Sequence, residues 1–306
     1  MIFNSLLAVV VACGLLWPAP GLAVDPWRRE LVIAVMFLMS LTLPAERLRR
    51  AAGNVRGLAA ALGVGYLVLP LACGLLAAAL YAAEPGPRAG LIVLGALPCT
   101  LASATVWTRL AGGDDALALT YTVLSNLLSV ALVPLYLLLF LGAALPVPAV
   151  RLFTDLALVV LAPVAAGQAL RHVLGPRVDR WRPGISVLAR GLVLTIVLVA
   201  VSKMSGEVRS APGAVGRLAA LAALLHAGGL WLGWFAAARL RCSRAERIAV
   251  GFAGSQKTLF VGVFLAGEYF PDLPLALLPV TAYHVVQLVI DTAVAGRLAR
   301  ATAAEV

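Results

Sequence analysis

Apolar blocks as long as a membrane crossing follow one another along this chain, and that recurrence leaves few folds open. The hydrocarbon core of a bilayer takes about 20 apolar residues of helix. Ten stretches are candidates, roughly 2–22, 31–45, 57–81, 89–108, 116–142, 152–170, 185–202, 214–238, 248–266 and 274–296. Charged residues make up 12% of the chain, about half the share of an ordinary soluble domain, and the connections are too short to hold one. The expectation is an all-α polytopic membrane protein, a single membrane domain over 1–306, with its functional site among the helices.

The first block ends in small residues at 19–23, as a secretory signal does, but lacks the basic start of such a signal. It is expected to remain as a helix. The net charge of +10 invites a nucleic-acid reading, which its distribution argues against. With both termini cytoplasmic, fifteen arginines fall on the inner side, among them Arg47, Arg49, Arg50, Arg109, Arg171, Arg182 and Arg241. Seven basic residues, including Arg28, Arg29, Arg151 and Lys203, fall on the outer side. This asymmetry obeys the positive-inside rule; a bacterial-type inner or plasma membrane is the expected location. Its expected partners are lipid and a small molecule, not nucleic acid, and monomer and homodimer both stay open.

Enzyme chemistry finds no constellation here. Asp114 and Asp115 lack a second aspartate cluster, no HExxH occurs, and no Ser/His pair sits in an elbow motif. The two aspartates are read as a helix N-terminal pair favoured by the dipole. Cys13, Cys73 and Cys99 fall in apolar blocks and Cys242 in a basic connection, without CxxC or metal spacing. No disulfide, metal or cofactor is therefore expected.

Lys257 is the residue that least fits its surroundings. It stands in the run Gly254-Ser255-Gln256-Lys257-Thr258, between the apolar flanks 250–253 and 259–266. A charge at mid-bilayer costs about 2.5–3.5 kcal/mol on insertion scales, and such residues mark functional sites by default. The structural alternative is a lysine paired with Asp291 or with backbone carbonyls.

Ten spans divide into two fives, 1–145 and 146–306, and an odd-numbered unit that repeats must insert inverted, a common secondary-transporter plan. The fourth span of each half tests the idea. Leu97-Pro98-Cys99-Thr100-Leu101-Ala102-Ser103-Ala104-Thr105 in one half matches Phe252 to Thr258 in the other, each a small and polar stretch between apolar flanks. Pro98 removes a backbone donor, and Gly251 and Gly254 loosen the second stretch. Both read as interrupted helices, tolerable at depth only against protein or a wet cavity.

The closing span of each half supports the match. Thr122, Ser125, Asn126 and Ser129 share one helical face, as do His284, Gln287 and Asp291. Interhelical packing competes as an explanation of both stripes. Gln168 and His226 are read as isolated packing residues.

These segments resemble the bile acid/sodium symporter family, above all the subgroup typified by sodium/bile acid cotransporter 7. The likeness rests on 36–50 (MFLMSLTLPAERLRR), 95–114 (GALPCTLASATVWTRLAGGD), 251–266 (GFAGSQKTLFVGVFLA) and 278–288 (LPVTAYHVVQL). It implies a panel and a core domain, with helices 4 and 9 broken and crossing. It also implies alternating-access transport of an organic anion, bile-acid-like or a carboxylate or sulfate, often driven by sodium. Sodium-coupled relatives carry Glu at the place of Phe252 and Asn at that of Lys257. Their paired Ser and Asn fall on Ala104 and Thr105, and a Gln falls on Gly65. Gln256 and Thr122 are kept, so two intact sodium sites are not expected.

The resulting expectation is a substrate site formed by Ser103, Thr105, Ser255, Gln256, Lys257, Thr258, His284 and Gln287. A weak cation, with Na+ open as coupling ion, would sit at Thr105, Thr122, Asn126 and Gln256. Two versions of coupling stay open beside sodium. Lys257 either occupies the place of a bound cation as a permanent charge, or, because burial favours the neutral amine, carries the proton itself. A sensor without transport and a channel are the remaining alternatives.

Overall fold

A computed structural model describes residues 2–43, 53–142 and 148–304. Arg47, Arg49 and Arg50, which the charge argument uses, lie outside them, as does part of the 36–50 segment. The described residues are helical, without a strand. In chain order the helices are α1 (Ile2–Leu16), α2 (Ala19–Val24), α3 (Arg28–Leu41), α4 (Val55–Leu80), α5 (Pro85–Ala96), α6 (Ser103–Leu110), α7 (Asp115–Leu141), α8 (Ala149–Leu174), α9 (Arg177–Lys203), α10 (Ser205–Ser210), α11 (Pro212–Arg239), α12 (Arg244–Ser255), α13 (Leu259–Tyr269) and α14 (Leu277–Ala304).

Seven helical runs are long and apolar enough to cross a membrane: α4, α7, α8, α9, α11, α12 with α13, and Pro274–Ala301, which contains most of α14. An eighth is Ser5–Leu16 with Ala19–Leu41, bent by 96° where Trp17 and Pro18 interrupt the helix. The ten expected spans are fewer by this measure for a physical reason. At 1.5 Å per residue α1 reaches about 22 Å, and α5 and α6 are separated by six non-helical residues.

The helix starts follow from local chemistry. Asp114 caps α7, its Oδ1 accepting from the amides of Ala116 and Leu117 at 3.1 and 3.0 Å. This is the N-terminal role expected of that pair. Ser243 and Glu246 form a reciprocal capping box at the start of α12. Asn54 caps α4 and donates through Nδ2 to Glu246 at 2.5 Å, joining the starts of α4 and α12.

The two interrupted runs lie innermost. Every residue from 89 to 101 and from 248 to 267 is buried, enclosed by α4, α7, α11 and α14. The irregular backbone of the two breaks is thus enclosed by protein except at Ala102, which is half-buried.

Candidate functional site

The break between α5 and α6 spans 97–102, and that between α12 and α13 spans 256–258. They meet directly, the Thr258 amide donating to the Pro98 carbonyl at 2.9 Å. Broken helices leave backbone groups without partners, and the helix that follows each broken pair supplies them. From α7, Ser125 Oγ accepts from the Cys99 amide at 2.8 Å and Asn126 Nδ2 donates to the Cys99 carbonyl at 3.0 Å. From α14, Gln287 accepts from the Lys257 amide and donates to its carbonyl, both at 3.1 Å. Tyr283 donates to the Ser255 carbonyl at 2.7 Å. Both polar stripes read from the sequence turn inward to these tasks.

Lys257 ties the two breaks together. Its Nζ donates to the carbonyls of Gly65, Gly95 and Leu97 at 2.7, 2.8 and 2.8 Å, and the Tyr66 ring lies 5.5 Å away. The residue is 3% exposed. Three acceptors at this distance require three N–H donors, so the group is an ammonium. Gly95 and Leu97 stand at the C-terminal end of α5, the negative pole of the helix dipole. Three charge-assisted bonds of about 1.5–3 kcal/mol each and a desolvated cation–π contact of about 2 kcal/mol are large enough to offset the several kcal/mol of burying the charge.

Of the two structural partners read from the sequence, the backbone carbonyls and not Asp291 hold the Lys257 side chain. Gly65 has a steric requirement of its own. A Cβ there would stand 2.0 Å from the Tyr121 hydroxyl, so a larger residue has to displace that side chain or the α4 backbone that offers the carbonyl.

Gln256 forms the second link. Its Oε1 is met by the Thr100 and Ser103 hydroxyls at 2.6 and 2.8 Å, and its Nε2 donates to Asp291 Oδ2 at 2.5 Å. Asp291 Oδ1 lies 2.8 Å from His226 Nε2, whose Nδ1 is 3.4 Å from the Tyr283 hydroxyl. His226, Gln256 and Asp291 are fully buried. His226 is therefore no isolated packing residue. Its link to Asp291 spans 65 positions of sequence, and only the fold reveals it.

The expected site thus splits. Ser103, Gln256, Lys257 and Gln287 belong to one bonded network, as does the Ser255 carbonyl. His284 Nδ1 accepts a hydrogen bond from Gln287 Nε2 at 3.0 Å, which leaves Nε2 as the protonated nitrogen, and that atom has no partner among the described residues. The buried hydroxyls of Thr105 and Thr258 and Asn126 Oδ1 also lack partners there. The four expected cation ligands do not act as one set. Thr122 donates to the Ala118 carbonyl, Asn126 holds Cys99, Gln256 is engaged by the two hydroxyls, and Thr105 faces elsewhere. Phe252 is buried among Ala111, Ile248 and Ala295.

Thr105 lines a cleft of about 400 Å³ whose walls include Thr42, Leu43, Leu101, Ala102, Arg109, Arg171, Asp179 and Arg182. Its size falls in the range of small-molecule sites. Of the eight expected substrate contacts, Thr105 alone reaches it. Arg109 is ion-paired with Asp115 and Arg171 with Asp179. At the opposite ends of α3, α8, α9 and α13 the charges interlock: Asp155 with Arg29 and Arg151, Glu268 with Arg151 and Arg28, and Asp25 with Lys203.

Broken helices joined at depth, with polar groups converging on the junction, are the build of a membrane carrier, and comparison with known proteins agrees. The SBF-like CPA transporter family matches residues 2–300. The chain belongs to that family. It is an integral membrane protein of a transporter family, not of an enzyme family. It is similar to the uncharacterized protein PA2026 of Pseudomonas aeruginosa, with 33% identity over 217 residues, 69% of this chain and 65% of that relative. Sodium/bile acid cotransporter 7 of Danio rerio is 24% identical over 304 residues, 94% of this chain and 90% of that protein. The putative symporter YfeH of Escherichia coli is 28% identical over 224 residues, 72% and 68% of the two chains. The match to the first of these spans just under two thirds of its length.

Proposed function

We propose that this member of the family carries a small organic anion across the membrane by alternating access, with Lys257 standing where a bound cation would otherwise hold the two breaks together. The observation that carries the reading is the ammonium fixed between the carbonyls of Gly65, Gly95 and Leu97. Those oxygens form a cage of the kind that takes a dehydrated monovalent cation, and the lysine already fills it. The residues present do not fit a sodium ion at that place. A fixed positive charge of this kind favours an anionic cargo without sodium, unlike the coupling that the name of the Danio rerio relative states.

In this reading ten spans form two inverted repeats, 1–145 and 146–306, with helices 4 and 9 crossing at their breaks and both termini cytoplasmic. The parallel roles of α7 and α14, each following a broken helix and each servicing its break, support the repeat. The arginine-lined cleft is the inward vestibule. Guanidinium groups bind carboxylate, sulfate and phosphate with matched geometry, and the cleft floor of Leu101, Ala102 and Thr105 leads to the first break. The interlocked charges at the other end form the closed outer seal, so one end is open while the other is shut.

Uptake into proteoliposomes tests this, with taurocholate, succinate and sulfate as probes. Saturable uptake of at least one, unchanged when potassium replaces sodium, is expected. Binding without flux would make the protein a sensor, and currents far above turnover rates a channel, either of which would overturn the proposal.

A further inference from the structure

The carrier's charge count leaves one pair unused. Asp291 and His226 face each other at full burial, on α14 and α11, and each proton on the pair has a hydrogen-bond acceptor beside it. The Tyr283 hydroxyl spends its only proton on the Ser255 carbonyl at 2.7 Å, so it turns a lone pair toward His226 Nδ1. A bond there needs a proton on Nδ1. The 2.8 Å contact between Nε2 and Asp291 Oδ1 holds another. With both contacts made as hydrogen bonds the network holds two protons, on an imidazolium beside a carboxylate or on a neutral pair, and is neutral overall. Losing one proton to water leaves the pair at −1 with one bond broken.

The groups around this pair set the consequence. On α14 they are Tyr283, whose hydroxyl faces His226 and lies near the thiols of Cys73 on α4 and Cys99 in the first break, and the neutral His284, bonded to Gln287. The charges at the ends of the neighbouring α6, α9 and α13, Arg109, Lys203 and Glu268, are held in ion pairs of their own. Lys257 follows in sequence the glutamine that touches Asp291, and its buried ammonium is turned to the carbonyls of Gly65, Gly95 and Leu97. With the proton bound, the centre carries +1; with it gone, 0.

We propose that the Asp291–His226 pair is a proton-binding site, read by the crossing of the two breaks through Gln256, that links proton movement to anion movement. The inference rests on the carrier reading above for its cargo. Gln256 donates to Asp291 on one side and accepts from Thr100 and Ser103 on the other, so the charge on Asp291 reaches both breaks in two hydrogen bonds. A centre at +1 holds an anion better than one at 0. Reciprocity then requires that the anion hold the proton better, and the two travel together. Chains of Asp and His in membrane helices serve as proton relays elsewhere.

The test uses the full chain in nanodiscs, in potassium buffer, with infrared difference spectra recorded across pH steps. Imidazole and carboxyl signals that titrate together in the wild type and vanish in both Asp291→Asn and His226→Gln are expected. Hydrogen exchange of 97–102 and 256–258, corrected for intrinsic rate, is expected to depend on pH in the wild type and to lose that dependence in both variants. An unchanged amide band shows that each variant is folded, and having two of them keeps the test valid if one fails. Signals that persist in both folded variants, or no titration in the wild type, would overturn the proposal. Taurocholate, succinate or sulfate uptake that ignores an imposed pH gradient would overturn the link and leave the carrier standing. A titrating pair in a protein that moves none of the three probes would count against the carrier and leave the proton site.

Discussion

Six residues separate α5 from α6 and three separate α12 from α13, and the two breaks are repaired with different chemistry. The first is neutral, its Cys99 backbone held by the side chains of Ser125 and Asn126. The second has its Lys257 backbone held by Gln287 and then sends out a charge of its own, which closes on the C-terminal end of α5 and on Gly65 of α4. One break is a receptacle and the other supplies the cation. A carrier with a tethered cation needs no second ion to bring the two together, and that frees a different group, the Asp291–His226 pair, to sense protons.

Removing the charge is the most severe way to erase this difference. Lys257→Met leaves three buried carbonyls short of a donor, so flux of the probe anion is expected to vanish. Stability is expected to fall by about 2 kcal/mol or more, because the ammonium is a structural link as well as a charge. Wild-type uptake in that variant would remove Lys257 from the account. Gly65→Ala strikes the receiving side. Its Cβ collides with the Tyr121 hydroxyl, and such overpacking costs about 1–3 kcal/mol. A thermal melt is expected to show that loss, with slower uptake because the α4 carbonyl is displaced.

Asn126→Ala weakens the neutral break alone, since it strips the donor from the Cys99 carbonyl. A loss of about 1–2 kcal/mol is expected, with sodium indifference intact. The smallest effect belongs to the cleft. Arg182→Ala is expected to leave the melt unchanged and to weaken anion uptake a few-fold, a loss below about 1 kcal/mol, measured as a rise in the half-saturating concentration. An unchanged half-saturation would detach the cleft from the transport path.

Much of this is legible in the sequence alone. The Pro98 and Gly254 regions read as breaks because backbone donors and helix propensity fail there, and helical spacing put Ser125 with Asn126 and His284 with Gln287 on shared faces. Lys257 stood out because a charge has no business in an apolar block without a partner. The partners themselves were not legible. Carbonyls of Gly65, Gly95 and Leu97 carry no side-chain signature, so no pattern of residue types announces a cage of backbone oxygens. His226 read as isolated for a related reason: its neighbours in sequence are apolar, and Asp291 reaches it only through the packing of α11 on α14. The cleft has no sequence signature because its arginines come from three separate helices, and inside-facing arginines read first as topology signals.

The claim that the ammonium stands in for a bound cation can be put to one titration. Purified wild type and Lys257→Ala would be melted in choline buffer with increasing sodium or potassium. The wild type is expected to be indifferent to both, and the variant, its three carbonyls exposed to a small cation, to be stabilised by sodium or potassium. Sodium-dependent stabilisation of the wild type, with none in the variant, would contradict the account.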